Sequence, residues 1–210
     1  MILFVLGILA CFVFGDILHR SGASAEVSRK SVHVTTCTMI AAFPLFDIGY
    51  RELTIIAGGS FLSIALLRTT VLMRSIMAVK RTSYGDLLLP LSLVIVAWLD
   101  FSYPAFLAAY LVLGFSDTLA SLIGGAYGRR RYALFGHGKS YAGSAAFFLS
   151  AFAIIVGVAV YAGVAIPMAL LIAATVGALL TLVEALSHKG ADNLFVPLIA
   201  AVVLHLWLPA

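Results

Sequence analysis

The chain has 210 residues, 63% of them hydrophobic and only 10% charged, with a mean hydropathy of +1.13. Soluble domains are about one-quarter charged, so this composition excludes a soluble globular enzyme and specifies an integral membrane protein. The net charge of +4 is not gathered into a long basic run with interleaved aromatics, which argues against a nucleic-acid partner.

Eight apolar segments follow one another at roughly 1–18, 32–46, 53–67, 86–99, 101–116, 141–162, 166–186 and 194–209. The first has neither a basic start nor a small-residue cleavage site and reads as a retained helix. Several are shorter than the roughly 20 residues that cross a hydrocarbon core, so their ends extend into the polar connections or the helices tilt or re-enter. The uncharged stretch from Ser140 to Val183 is too long for one helix, and Gly163 with Pro167 supplies the break. Cys11 and Cys37 lie inside apolar runs, as small buried hydrophobes rather than a disulfide or zinc framework. The expected fold is all-α: one polytopic membrane domain over 1–210, with about eight transmembrane helices.

The basic residues test this count. Arg20, Arg29 and Lys30 separate segments one and two, and Arg68, Arg74, Lys80 and Arg81 separate three and four. Arg129, Arg130, Arg131 and Lys139 separate five and six, and Lys189 separates seven and eight. Arg51 alone falls in a connection of the other parity. The positive-inside bias is then satisfied almost completely, with both termini on the non-cytoplasmic side. Trp98, Trp207 and Tyr103 fall at the outer interface, where an amphipathic ring is favoured.

Polar residues gather in the connections assigned to the inner face. Arg29 and His33 share a helical face in Ser28-Arg-Lys-Ser-Val-His33, a spacing compatible with phosphate binding or proton transfer as well as with simple snorkelling. Tyr84-Gly-Asp86 opens the fourth span, with Asp86 as a helix cap or ligand contact. Asp117 is expected to end the fifth span and lead into a glycine-rich loop that runs past Arg129–Arg131 to Lys139, Ser140 and Gly143. A carboxylate, a lysine, a hydroxyl and close-approaching backbone suit a phosphate chain with a divalent cation, although the spacing is not that of a Walker loop. Gly190 breaks the chain after Glu184, and Asp192 with Asn193 begins the last helix, whose amides attract phosphate. Asp117, Glu184 and Asp192 are enough to hold one or two Mg²⁺ ions together with water and phosphate oxygens. His19, His137 and His188 have weaker contexts, and His205 reads as structural.

Four pieces resemble the superfamily of phytol kinases, dolichol (polyprenol) kinases and CTP-dependent diacylglycerol kinases, most closely its phytol kinase-like branch. They are Arg29-Lys30-x-x-His33; Tyr84-Gly-Asp86 ahead of Pro90; Ser116-Asp117-Thr-x-Ala-x-x-x-Gly-Gly with Lys139-Ser140-x-x-Gly-Ser144; and Glu184-Ala-x-x-x-x-Gly-x-Asp192-Asn193-x-x-x-Pro197. The resemblance implies transfer of the γ-phosphate of CTP, UTP or another nucleoside triphosphate to a membrane alcohol such as phytol, geranylgeraniol, a polyprenol or diacylglycerol. It implies Asp117 and Asp192 at Mg²⁺-nucleotide, Lys139 on the phosphates, and Arg29, Lys30 and His33 in the same pocket. Ser140, Gly143, Asn193 and Asp86 join the nucleotide-binding set, and Glu184 joins the metal set. Either a carboxylate or His33 would take the alcohol's proton. Two departures stand out: Ala142 where relatives often carry Glu, and Ser116 where many carry Gly. A lipid cytidylyltransferase is the second reading. A transporter is disfavoured because the ionisable residues gather at one face instead of the midplane. The expected location is the cell membrane with the active site facing the cytoplasm, and a homo-oligomer is compatible with all of this.

Overall fold

The fold was obtained as a computed structural model and is described for residues 1–68, 83–134 and 137–209, the side chains of Arg68, Leu134 and His137 excepted. Arg74, Lys80, Arg81 and Gly136 lie outside the described residues, as does the His137 side chain. Helices occupy all eight apolar segments, and α6 follows the fifth of them: α1 (Ile2–Arg20), α2 (Ala25–Ala41), α3 (Tyr50–Arg68), α4 (Gly85–Trp98), α5 (Tyr103–Leu111), α6 (Asp117–Tyr127), α7 (Tyr141–Tyr161), α8 (Ile166–Leu186) and α9 (Asp192–His205). A π turn over Val112–Ser116 joins α5 to α6 in one rod, Tyr103–Tyr127. Among the described residues, five helical rods are long and apolar enough to cross a membrane, whereas α4 and α9 have 14 residues each. The α7–α8 break falls where the sequence places it, with Gly163 at φ +84° and Pro167 in the first turn of α8.

Two expectations are corrected. Asp117 does not end a helix, because the rod continues ten residues beyond it to Tyr127. The glycines at 124 and 125 stay helical, since neighbouring helices supply the packing that propensity alone does not. The connection to α7 is also not simply a loop. It contains a two-stranded antiparallel hairpin, β1 (Arg131–Leu134) and β2 (His137–Ser140), with Tyr132 opposite Lys139. Four-residue strands carry too little alternation to be recognised from periodicity.

Helix packing rests on small residues. Ala105, Ala108, Ala109, Ala151, Ala159, Ala173, Ala200 and Ala201 are fully buried, interleaved with Phe106, Tyr110, Leu113, Phe147, Ile155 and Leu204. In lipid there is no hydrophobic gain from helix association, so close backbone approach and dispersion must provide it. The bundle has two polar ends. At one, Ser102 N–H donates to His205 Nδ1 (3.1 Å) and Tyr103 Oη donates to the Ala41 carbonyl (3.1 Å), so His205 is structural as expected. Arg51 begins α3 at this end. At the other end stand Arg20 in the last turn of α1, Arg29 and Lys30 in the first turns of α2, Lys139 in the connection before α7 and Lys189 in the turn before α9.

At that second end the turn before α9 is locked against the start of α4. Tyr84 N–H donates to the Lys189 carbonyl (2.8 Å), and Gly190 has φ +89° with its missing Cβ position 2.5 Å from Gly85 N. An L-residue there meets both left-handed strain and a backbone clash. Gly190→Ala is expected to lower stability by about 1–3 kcal/mol, read as a fall in the thermal unfolding midpoint in detergent. An unchanged midpoint would contradict this packing.

Candidate active site

Residues far apart in sequence converge at the end that holds the α8–α9 turn. Ser24 starts α2 by accepting a hydrogen bond from Val27 N–H, which places Glu26, Arg29, Lys30 and His33 in its first turns. Lys30 crosses to the Tyr103–Tyr127 rod. Its Nζ lies 2.5 Å from Asp117 Oδ2 and 3.4 Å from the Asp117 carbonyl, and both residues are buried. His33 Nε2 faces two acceptors, the Leu113 carbonyl at 3.3 Å and Asp117 Oδ2 at 3.4 Å. With acceptors on both sides, Nε2 is the nitrogen that carries the proton. Leu113 belongs to the π turn, a local irregularity often found at functional sites.

A second cross-link comes from the hairpin. Lys139 Nζ pairs with Glu184 Oε1 and donates to the Glu184 carbonyl (3.0 Å), tying β2 to the last turn of α8. Glu184 is buried and Lys139 partly so. Ser140 caps α7, its Oγ accepting from Gly143 N–H (3.0 Å). Tyr132 Oη and Ser144 Oγ are hydrogen-bonded at 2.6 Å, holding β1 to the same helix start.

Asp192, half-buried in the first turn of α9, differs from the other two acids. Among the described residues its side chain makes no hydrogen bond or ion pair, yet it lies within electrostatic range of Asp117, Glu184, Lys30 and Lys139. Arg29 feels both Asp117 and Asp192. The expected site residues Arg29, Lys30, His33, Asp117, Lys139, Glu184 and Asp192 therefore share one polar region. Asn193 stands at its edge with its amide committed to the Gly85 carbonyl (2.9 Å), and Asp86 is exposed in the first turn of α4. Arg129, Arg130 and Arg131 are exposed before and along β1.

Glu26 was missed by the sequence reading. It accepts from Arg29 (2.7 and 3.2 Å) and from Ser121 Oγ (2.7 Å), fastening α2 to α6 and aiming Arg29 along the site. The i,i+3 pairing with Arg29 just after a serine cap was the available signal. Tyr132 had none, because its role depends on the hairpin register.

Chemically, this is a membrane-bundle end where three carboxylates meet two lysines, an arginine and a histidine. Such a set has the charges to pair with anionic phosphates and their cations. No family model matches the chain, and no solved structure matches it. Among curated proteins it is similar to the phytol kinase of Synechocystis sp., with 34% identity over 209 residues, 95% of this chain and 89% of that protein. The chain belongs to the phytol kinase family, in the phytol kinase-like branch of the superfamily.

The approach of α2 to the rod sets the Lys30–Asp117 distance. A Cβ on Gly114 would sit 2.7 Å from Cys37 Cβ, one helical turn from His33. Gly114→Ala is expected to push α2 away, lower the unfolding midpoint by the equivalent of about 1–3 kcal/mol and reduce activity. Adding Cys37→Gly should return part of both losses. Loss of activity with no recovery in the double variant would show that the contact does not set the site.

Proposed function

We propose that this chain is a nucleotide-dependent lipid kinase that phosphorylates the hydroxyl of a membrane isoprenoid alcohol. Phytol, geranylgeraniol or a polyprenol would be the acceptor and CTP or UTP the donor. The observation that carries this reading is the grouping of Asp117, Glu184 and Asp192 with Lys30 and Lys139 at one end of a lipid-soluble bundle, in a chain akin to a phytol kinase. In this proposal residues 1–210 form one domain of eight spans in the cell membrane, with both termini outside and the site facing the cytoplasm. The short helices α4 and α9 span with the help of their polar flanks. Support for that orientation comes from the basic residues, since Arg51 stands at the far end while Arg20, Arg29, Lys30, Arg129–Arg131, Lys139 and Lys189 lie at the site end.

The donor set fits magnesium bound together with a nucleotide. Among the described residues no three His, Cys, Asp or Glu side chains form a ready-made metal cage. Mg²⁺ seldom uses one, taking one or two carboxylates plus phosphate oxygens and water. Among the described residues Asp192 has no direct partner, and Asp117 and Glu184 each hold a lysine that phosphate could draw away. Asp117 and Asp192, helped by Glu184, would hold the ion, which when bound neutralises charge on the phosphates.

Lys30 and Lys139 then stabilise the charge that grows on the transferred group, with Arg29 at the rim. Ser140 and Gly143 present the start of α7, and Asn193 the start of α9, beside the phosphates. The alcohol oxygen bonds to the γ-phosphorus as the bond from that phosphorus to the bridging oxygen breaks. The hydroxyl proton passes to a carboxylate of the acidic trio. His33 is unsuited to receive it at Nε2, which donates to the Leu113 carbonyl and stands 3.4 Å from Asp117 Oδ2, and it serves to orient Asp117. The products are a nucleoside diphosphate and a lipid monophosphate.

The experiment is turnover of purified protein with each labelled nucleotide and a panel of prenols and diacylglycerol. A nucleoside diphosphate and lipid monophosphate are expected; released pyrophosphate would establish the cytidylyltransferase reading instead. Asp117→Asn and Asp192→Asn should retain helical content and lose at least about a hundredfold in kcat. Wild-type turnover by either would overturn the assignment.

A further inference from the structure

Helix α2 and the Tyr103–Tyr127 rod meet along one polar seam. Glu26 accepts from Ser121, Lys30 pairs with Asp117, and His33 bonds to the Leu113 carbonyl. On α2 these residues recur at i, i+4 and i+7, while 121, 117 and 113 descend along the rod, so the two run antiparallel with a polar contact at each turn. The inner two rungs are a buried charge pair and a bond to the π turn. The outermost rung has neither role, because Glu26 and Ser121 are only partly buried and water could satisfy both.

What this rung does is hold Arg29. The guanidinium donates through Nε to Glu26 Oε2 (3.2 Å) and through Nη2 to Glu26 Oε1 (2.7 Å), the fork in which arginine and a carboxylate match. Glu26 Oε1 is also the oxygen that takes the Ser121 hydroxyl (2.7 Å), so the carboxylate is itself braced from α6. As a source of stability the arrangement is weak, since an exposed ion pair between residues three apart contributes little. As a means of orientation it is specific. Among the described residues every hydrogen bond of the Arg29 side chain goes to Glu26 through one edge, which leaves the Nη1–Nη2 edge open. Arg29 is exposed and lies within electrostatic range of Asp117 and Asp192.

We propose that Glu26 is a positioning residue for the donor nucleotide: braced by Ser121, it presents the open edge of Arg29 to a phosphate. The inference rests on the proposed kinase activity. The open edge carries N–H groups at the spacing of two phosphate oxygens. A free arginine would have to be ordered as the nucleotide binds, and holding it beforehand removes that cost from binding. Glu26 acts through Arg29 alone, so its loss weakens the nucleotide and leaves the alcohol unaffected.

The test is a double-variant cycle on nucleotide binding. Kd for labelled CTP and UTP with Mg²⁺ is measured on purified protein in detergent, together with separate KM values for nucleotide and alcohol and the unfolding midpoint. Glu26→Gln keeps an oxygen for Ser121 but loses the charge and half of the fork, and should raise Kd and the nucleotide KM about three- to tenfold. Arg29→Ala should raise them at least as much, and the double variant should be no worse than Arg29→Ala. Ser121→Ala, which leaves the fork unbraced, should give a smaller rise and none in the Arg29→Ala background. The alcohol KM and the unfolding midpoint should stay near wild type throughout. Wild-type nucleotide affinity in Glu26→Gln, losses that multiply in the double variant, or an equal rise in the alcohol KM would overturn the role. Wild-type protein that binds nucleotide but phosphorylates no alcohol refutes the kinase reading, and the binding cycle still decides the role of Glu26. Wild-type protein that binds neither nucleotide refutes both.

Discussion

The Lys30–Asp117 ion pair is the constraint around which the polar end of this bundle is organised. Both groups are buried, in a chain whose surroundings are lipid and packed helices. Each charge alone would cost several kcal/mol to place there. Their pairing fixes α2 against the Tyr103–Tyr127 rod, and His33 adds a second contact to the same carboxylate. The π turn is what allows this meeting. It sits immediately before Asp117, offers the Leu113 carbonyl to His33 and contains the glycine that lets Cys37 approach.

The remaining polar contacts extend that frame. The hairpin brings Lys139 onto Glu184, so the connection between α6 and α7 closes over the end of α8. Glu26 joins Ser121 to Arg29. The α4 and α9 starts are stitched together by Asn193 and by backbone contact at Gly190. Lysines and carboxylates therefore neutralise one another pairwise, except that Asp192 has no direct partner among the described residues. Buried charge pairs seldom raise stability over apolar packing of the same volume. Their presence here is better accounted for by exchange: a polyphosphate with its cation can satisfy the lysines and the acids separately.

Much of the helical framework was legible in the sequence because lipid demands it. Unpaired backbone cannot be left in hydrocarbon, so long apolar runs become helices, and the glycine and proline at 163 and 167 mark a break that composition alone announces. The gathering of Lys30, His33, Asp117, Lys139, Glu184 and Asp192 at one end of the bundle was legible for a related reason, since ionisable groups are kept to the ends of apolar runs. Three features were hidden. The continuation of the rod past Asp117 depends on packing of α6 against α7. The hairpin depends on pairing between two strands of four residues. The service of Glu26 depends on Ser121, 95 residues away. The first two are tertiary contacts with no local periodicity, and of the third only the i,i+3 pairing with Arg29 is local. The departures at Ser116 and Ala142 also resolve differently: Ser116 is fully buried beside Asp117, and nothing in the structure explains Ala142.

The central claim is that Lys30 and Asp117 form working parts of a phosphoryl-transfer site and are not only a staple between two helices. The most direct measurement is a double-variant cycle with Lys30→Met and Asp117→Leu, reading unfolding midpoint and lipid phosphorylation together. Each single variant is expected to lose about 3–5 kcal/mol, because it strands a buried charge, and the pair should recover most of that loss. The account predicts that the recovered double variant is folded and inactive. A double variant that is both stable and active would contradict it.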